Sequence, residues 1–211
     1  MTVASPKEQV STEQIKALRG KTGAGVMECK RALAQAKGDP AEAEKILREK
    51  GASLAAEKAG RTAGQGLVGS YIHAGRIGVL VEVNCESDFV ARNEDFKRFV
   101  HDICLQVASM NPRYVNREDV PEEDIGRELE HLQEELAQVD SEVAPAMQQS
   151  HMENFYKERV LMDQSFVKDP GKTVRDLLHE TVAAIRENIV IRRFVRMTLG
   201  DTVESNRSAV S

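Results

Sequence analysis

Residues 79–96 constrain the fold most, because an alternating apolar segment there runs into an aromatic residue and a carboxylate without turn residues between them. Val79, Val81 and Val83 recur with a period of two, which predicts a strand with one face directed at a core. Residues 87–90, Ser-Asp-Phe-Val, follow the carboxyl end of that strand. We therefore expect them to form a loop tip at the end of a half-buried strand.

The Phe89 ring has two possible positions in such a tip. A large apolar ring beside a carboxylate is unfavourable in water, which favours a partner that covers it. The commoner outcome for a single loop phenylalanine is that it folds back into its own core. The sequence alone leaves both positions open.

The length and composition of the chain favour two domains of unequal size. With 211 residues, 41% hydrophobic and 30% charged, it can bury one good core and a small satellite domain. No apolar run approaches the roughly 20 residues that span a bilayer. The first ten residues also lack an apolar signal region. We therefore expect a cytoplasmic protein with no membrane segment.

The charge distribution argues for a protein partner. Residues 1–66 carry twelve Lys and Arg against eight acids, whereas residues 118–158 carry thirteen acids against two basic residues. A phosphate backbone would repel the second segment, and no basic stripe alternates with aromatic residues. We therefore expect no direct binding to nucleic acid.

The three cysteines, Cys29, Cys85 and Cys104, are far apart in sequence and form no CxxC pair. This pattern indicates free thiols in a reducing compartment and argues against a disulfide framework or a zinc site. The five histidines share no ligand spacing either. We expect no bound metal.

Three short helices are predicted within the first 60 residues, at about 12–19, 24–36 and 40–58. Ser11 and Gln14 have the spacing of a capping box at the start of the first helix. Helices this short, with a limited core, are typical of a small binding bundle. The apolar positions at helical spacing are Val26, Met27, Cys29 and Leu33 in the second helix, and Ala43, Ile46, Leu47 and Leu54 in the third.

A glycine-rich connector over residues 60–66 precedes a second domain, in which the apolar period becomes alternating. Residues 67–73 and 76–84 predict a hairpin around Ala74 and Gly75. The fold class is therefore α+β, with a three-stranded antiparallel sheet and flanking helices. The remaining elements are expected at 94–109, capped by Asn93, at 173–187, capped by Thr173, and, as the third strand, at 189–199.

A helical hairpin is expected as an insertion at about residues 118–163. Its first helix has apolar positions four and three residues apart, a coiled-coil seam of little more than two heptads. The second helix covers about 147–162, and the simplest pairing is antiparallel with a turn near Pro145. The seam positions are Ile125, Leu129, Leu132, Leu136 and Val139.

Several short motifs resemble enzymatic ones, but their context argues against each. Glycines 64, 66 and 69 match a dinucleotide fingerprint but precede the strand, so no helix amino terminus follows for a pyrophosphate. The Gly-Lys-Thr triplets at 20–22 and 171–173 lack the earlier glycine of a phosphate loop. Cys29 lies near a glycine-rich helix start, yet its place on the apolar stripe favours a packed core thiol. We expect neither catalytic residues nor a cofactor.

Four motifs together resemble one known family. Leu18-Arg19-x-Lys21-Thr22-Gly23-Ala24-Gly25-x-Met27-x-Cys29 is similar to the amino-terminal module of the bacterial elongation factor Ts family. The similarity extends over nearly the whole chain, although Ser87 stands where the family usually has threonine and Gln65 replaces a common glutamate. The other motifs are Asn84-Cys85-Glu86-Ser87-Asp88-Phe89-Val90-Ala91, Leu161-Met162-x-Gln164-x-Phe166-Val167 and Glu187-Asn188-Ile189-Val190-x-Arg192-Arg193-Phe194.

The resemblance implies a guanine-nucleotide exchange factor for elongation factor Tu, in its GDP-bound and nucleotide-free forms. Residues 1–60 would be a ubiquitin-associated-like docking module, and residues 61–211 the exchange core. In the family, the segment matching Ser87, Asp88, Phe89 and Val90 enters the partner near its magnesium site, with Phe89 as the inserted ring and Asp88 as its polar companion. The implied docking positions are Leu18, Arg19, Thr22, Gly23, Ala24, Gly25 and Met27.

The chain resembles the short type of the family, which has a single core subdomain. A three-stranded sheet with few covering helices would expose apolar side chains, so we expect a homodimer that binds two molecules of elongation factor Tu. Two other function classes stay open. One is a binding adaptor that promotes no exchange, and the other is a thiol-dependent enzyme that uses Cys29.

Overall fold

The structure is a computed structural model that describes residues 10–136 and 143–201. Within these residues, helices combine with a three-stranded antiparallel sheet, which confirms the predicted α+β class. In chain order the elements are α1 (Thr12–Thr22), α2 (Val26–Gln35), α3 (Pro40–Lys58), β1 (Gln65–His73), β2 (Ile77–Cys85), α4 (Asp88–Ala91), α5 (Glu94–Met110), α6 (Glu122–Leu136), α7 (Ala144–Arg159), β3 (Ser165–Phe166), β4 (Asp169–Thr173), α8 (Val174–Ile185) and β5 (Ile189–Thr198).

The described residues form two compact units, each assembled from segments distant in sequence. The first comprises the described part of Met1–Gly66 together with Asn84–Phe99 and Asp176–Val190. The second comprises Leu67–Val83 and the described parts of Val100–Arg175 and Ile191–Ser211. The functional division at residue 60 stays a prediction.

Helices α1, α2 and α3 pack around one small core in the first unit. The Ser11 hydroxyl accepts the Gln14 N–H at 3.1 Å and Gln14 Oε1 accepts the Ser11 N–H at 2.9 Å, which is the predicted capping box. Gly23 ends α1 in the left-handed conformation at φ +68°, and the Asp39 carboxylate caps α3. The buried side chains are Leu18, Cys29, Ala32, Leu33, Ala36, Ala43 and Ile46.

Two residues of the predicted apolar stripe on α2 do not belong to this core. Val26 and Met27 are largely exposed, whereas Cys29 and Leu33 are fully buried. Met27 lies two residues from Cys29 and therefore on a different side of the helix. Val26 is in the first turn of α2, at the edge of the bundle. The stripe prediction was wrong for both residues.

Strands β1 and β2 form the predicted hairpin. Ala74 and Gly75 make its turn with φ values of +49° and +66°, the combination that a two-residue turn of type I′ requires. Strand β5 lies beside β2, so the sheet order is β1-β2-β5 and the last strand is the third, as predicted. Val79, Val81 and Val83 are buried, which confirms the inward face of β2.

Helix α5 begins after Asn93, whose Oδ1 accepts the Asp95 N–H at 2.7 Å, as the predicted cap requires. Further along, in the second unit, α5 lies very close to β1. A Cβ atom on Gly69 would lie 2.4 Å from Val100 Cγ1 and 3.2 Å from Cys104 Sγ. The absence of a side chain at Gly69 is therefore what lets this helix and strand meet.

Helices α6 and α7 contact each other, as the predicted helical hairpin requires. His151 Nε2 and Glu128 Oε1 are 2.7 Å apart, and Leu132 is buried. Pro145 lies in the first turn of α7, which suits its fixed φ and missing N–H. The turn between the helices and Val139 lie outside the described residues.

A second sheet, made by β3 and β4, was not predicted from the sequence. Beside it lie two fully buried glutamines, Gln106 of α5 and Gln164. Gln106 Nε2 donates to Gln164 Oε1 at 3.1 Å, and Gln106 Oε1 accepts the Val167 N–H at 2.8 Å. Strands of two and five residues are too short to give a periodic signal, so their position depends on contacts of this kind.

Candidate partner-binding site

The carboxyl end of β2 continues into α4, a helix of a single turn. Ser87 is its N-cap, and the Ser87 hydroxyl accepts the Val90 N–H at 3.3 Å. The prediction of a loop at residues 87–90 was therefore wrong. One helical turn is too short to show a hydrophobic period, so only the serine cap could have indicated it.

The two apolar side chains of α4 lie in different environments. Val90 is buried, whereas Phe89 is 78% exposed. Consecutive helical residues point about 100° apart, so a helix this short cannot bury both against the same core. The prediction that the Phe89 ring folds back into its own core is therefore wrong. The structure shows the ring exposed.

Asp88 and Arg92 form an ion pair on the exposed side of α4. Arg92 Nη2 donates to Asp88 Oδ2 at 2.9 Å, and both side chains are exposed. Such a surface pair adds little to stability. Its two charges belong to residues one and three positions from Phe89 in sequence. Arg92 was not predicted as a site residue, although an Asp and an Arg four residues apart are a recognisable helical pair.

A carboxylate from near the other end of the chain holds the start of α4. Glu187 accepts three hydrogen bonds, from the Glu86 N–H at 3.1 Å, the Ser87 N–H at 3.0 Å and the Ser87 hydroxyl at 2.6 Å. Hydrogen bonds to an ionised group are stronger than neutral ones. The Ser87 hydroxyl thus donates to Glu187 and accepts from Val90 at the same time.

Asn188, the next residue, ties the same turn to the connector after α3. Its side-chain amide donates to the Arg61 carbonyl at 2.7 Å and to the Ala59 carbonyl at 3.4 Å. Its backbone N–H donates to Glu86 Oε1 at 2.6 Å. Glu187 and Asn188 were recognised only within a family motif, because no local signal links them to partners that lie 100 to 129 positions away in sequence.

The positions expected to dock a partner divide between the core and the surface of the three-helix bundle. Leu18 and Thr22 are buried. The Thr22 hydroxyl donates to the Leu18 carbonyl at 2.8 Å and accepts the Ala24 N–H at 3.3 Å, so these two residues shape the α1–α2 loop. The exposed members of the set are Arg19, Gly23, Gly25 and Met27.

All three cysteines are free and buried. Burial raises the pKa of the Cys29 thiol and raises the pKa of Cys104 to about 11. The pKa of Cys85 is raised by burial and, to a smaller extent, by the nearby negative charge of Glu187. A nucleophilic cysteine needs a lowered pKa and access to solvent. The prediction of a packed core thiol at Cys29 is confirmed.

The other enzyme-like motifs lie in elements that do not suit their chemistry. Gly66 and Gly69 lie within β1, and the two Gly-Lys-Thr triplets lie at the end of α1 and in β4. Among residues 10–136 and 143–201, no group of three His, Cys, Asp or Glu is placed to hold a metal ion. The described helices include none with the length and apolar character to cross a bilayer.

A family model described as Elongation factor TS matches residues 41–201, which include α4, Glu187 and the sheet. The chain belongs to the elongation factor Ts family. Elongation factor Ts of Caldanaerobacter subterraneus subsp. tengcongensis is 52% identical over 201 residues, covering 92% of this chain and 99% of the relative. Elongation factor Ts of Thermoanaerobacter sp. (strain X514) is 51% identical over 200 residues, covering 93% and 98%. Elongation factor Ts of Carboxydothermus hydrogenoformans is 52% identical over 198 residues, covering 91% and 90%.

These matches confirm the resemblance to the elongation factor Ts family that the motifs indicated. They place the protein in the elongation step of protein biosynthesis.

Proposed function

We propose that the protein binds elongation factor Tu in its GDP-bound and nucleotide-free forms and promotes the release of GDP. The observation that carries this proposal is Phe89, 78% exposed on a four-residue helix whose amino end is held by Ser87 and Glu187. A rigid aromatic anchor of this kind fits a pocket on a partner. Phe89 is the inserted ring, while Asp88 is its polar companion and Val90 holds α4 to the domain.

Exchange by such a ring follows from the coupling of two binding events. A factor that weakens nucleotide binding by a given ratio is itself weakened by nucleotide in the same ratio. Each tenfold corresponds to about 1.4 kcal/mol. Magnesium bridges a GTPase to the nucleotide phosphates, so a ring that displaces its ligands weakens the nucleotide without occupying the nucleotide pocket.

The three-helix bundle is the docking module in this proposal, and its fold is of the ubiquitin-associated type. Two observations support this role. The bundle has a hydrophobic core of its own, and the exposed apolar side chain of Met27 lies beside the loop at Gly23 and Gly25. The bundle would supply affinity, while the segment around Phe89 supplies exchange. Residues 1–60 and 61–211 thus have separate roles.

The working form is proposed to be a homodimer. The outer face of the sheet carries large apolar side chains, each more than half exposed, and a patch of this kind on one face is typical of an interface. Pairing two copies about a twofold axis would cover both patches. The side chains that form this patch, all in the second unit, are Val68, Ile72, Leu80, Met197 and Leu199.

The decisive experiment measures release of fluorescent GDP from purified elongation factor Tu, chased with excess unlabelled GDP. We expect a release rate that rises with the concentration of this protein and then saturates. A binding adaptor would form the complex without changing the rate, and that result would contradict the proposed function.

A further inference from the structure

We propose that Glu187 is a positioning residue for nucleotide exchange, which sets the orientation in which α4 presents Phe89. This inference rests on the proposed exchange function. It assigns a role to a side chain about 100 residues away in sequence from the ring. Glu187 itself does not need to touch the partner.

The hydrogen bonds of Ser87 show how Glu187 acts. A hydroxyl has a single proton, and the 2.6 Å bond commits that proton to Glu187 Oε1. The hydroxyl lone pairs are then left to accept the Val90 N–H that starts α4. The bond to Glu187 therefore fixes the Ser87 hydroxyl in the orientation that caps the helix. A freely rotating hydroxyl would adopt this orientation only part of the time.

The small size of α4 makes this control important. A helix of four residues has little hydrogen bonding of its own, and starting a helical turn is unfavourable. The cap and the two N–H bonds from Glu86 and Ser87 to Glu187 Oε2 therefore carry a large share of its order. Without them, we expect Phe89 to sample several orientations, only some of which fit the partner.

Glu187 can do this because the residues on both sides of it are fixed. Arg186 leaves α8 with φ +70°, donates its N–H to the Val182 carbonyl at 2.8 Å and pairs with Glu28 of α2. Asn188 is held by the Arg61 carbonyl at 2.7 Å. A left-handed conformation at a residue other than glycine is unusual and indicates a backbone that its surroundings determine.

The contacts of Glu187 also separate positioning from general stability. Its three hydrogen bonds go to Glu86 and Ser87, the two residues directly before α4. Removing them leaves the buried contacts of Val90 and the core of the bundle in place. The expected loss is therefore in the release rate at saturation, with little change in the concentration that gives half of that rate.

The test compares Glu187→Gln with wild type in GDP release from elongation factor Tu, with circular dichroism to show that both are folded. The amide keeps the size of the side chain but has only one acceptor oxygen. When that oxygen accepts the two N–H groups, the amide nitrogen faces the Ser87 hydroxyl as a donor and no longer fixes its proton. We expect the saturating rate to fall about tenfold, which corresponds to about 1.4 kcal/mol. The protein concentration that gives half of the saturating rate should stay within about twofold of the wild-type value.

Glu94→Gln is the matched control, because that exposed carboxylate in the first turn of α5 contacts Lys97 at 2.8 Å and has no bond to α4 among its described contacts. It should release GDP like wild type. A second control is the double variant Glu187→Gln with Phe89→Ala. If Glu187 acts through the ring, the double variant should be no slower than Phe89→Ala alone.

Each other outcome overturns the inference in a recognisable way. If Phe89→Ala is slow and Glu187→Gln is like wild type, Glu187 has no positioning role and the proposed function stands. If Glu187→Gln lowers the rate tenfold again in the Phe89→Ala background, it acts elsewhere. If Glu187→Gln changes only the protein concentration that gives half of the saturating rate, Glu187 contributes to docking and does not position the ring. If Phe89→Ala itself releases GDP like wild type, the proposed ring insertion and this inference both fail.

Discussion

Phe89 is a large apolar ring that the fold leaves in water. Burying a side chain of this kind is worth about 1.5–3 kcal/mol, so its exposure forgoes a gain that most phenylalanines in proteins obtain. The gain is available again when a partner covers the ring. In the proposed function, this free energy of burial becomes available at one defined point, on a helix of a single turn.

Phe89→Ala should slow GDP release at saturation by at least tenfold and leave the thermal unfolding midpoint almost unchanged. The ring contacts little of its own domain, so its removal affects mainly the partner. Phe96→Ala is the control, because Phe96 is fully buried and its truncation should cost about 3–5 kcal/mol of unfolding free energy. A steep fall in the midpoint of Phe89→Ala would contradict the exposed position.

Cys104 should make stability depend on pH in the alkaline range. Burial raises its pKa from the ordinary 9.0 to about 11, so the folded protein keeps the thiol proton longer than the unfolded chain does. The corresponding stabilisation is present below pH 9 and is lost as the pH rises toward 11. The unfolding free energy of wild type should thus fall more steeply over this range than that of Cys104→Ala. Parallel curves for the two proteins would show that the thiol does not contribute.

At the scale of elements, close approach between α5 and β1 determines where the sheet packs. Gly69 is the point of contact, and Val100 fills the space that a side chain there would need. The glycine that resembled part of a nucleotide motif thus has a packing role. The Val100 side chain can come this near to the strand only where the strand has no Cβ.

Gly69→Ala should lower the free energy of unfolding by about 1–3 kcal/mol, because the new methyl group would displace Val100 and shift α5. Chemical denaturation measures the change. Gly78→Ala on β2 is the matched control, since its Cβ would meet nothing within 4 Å. Equal effects of the two substitutions would show that crowding at Gly69 is not the cause.

Met27, in the first turn of α2 beside the α1–α2 loop, is exposed outside the core of the bundle. Met27→Ser should raise the protein concentration needed for half-maximal GDP release by about tenfold, because an apolar contact with the partner is lost. The saturating rate should stay the same, since Phe89 is intact. Met110→Ser, at the exposed end of α5, is the control and should change neither value. A lower saturating rate with unchanged half-saturation would contradict the division between docking and exchange.

At the scale of the whole molecule, the sheet has one buried and one exposed apolar face. Val79 and Val81 point into the core, while Leu80 between them is more than half exposed, as alternation along a strand requires. Polar residues would normally occupy the exposed face of an antiparallel sheet. The apolar residues found there are the basis for the proposed dimer.

Light scattering at micromolar concentration should give a mass of twice 23.4 kDa, and Ile72→Glu should give the single-chain mass, because a buried charge opposes pairing of the apolar faces. The assembly should persist in reducing agent, since all three cysteines are buried. Gln149→Glu, on the exposed surface of α7, is the control and should remain dimeric. A wild-type mass of 23.4 kDa, in a sample fully active in exchange, would rule out the dimer as the working form.

Most elements and the family could be predicted from patterns in the linear chain. Helix caps such as Ser11 and Asp39, and the alternation of valines along β2, depend on residues within a few positions of one another, so their signals survive in the linear chain. The hairpin turn at Ala74 and Gly75 is equally local. The family motifs predicted the role in elongation, which the comparisons confirm.

The exposure of Phe89, the helix at residues 88–91 and the contact of Glu187 with its start are visible only in the folded protein. The same holds for the β3–β4 sheet and the role of Gly69. The physical reason is common to all of these features. Each depends on which donors, acceptors and surfaces packing brings within about 3–4 Å of one another. These groups are up to 101 residues apart in the chain, so no local pattern encodes their contact.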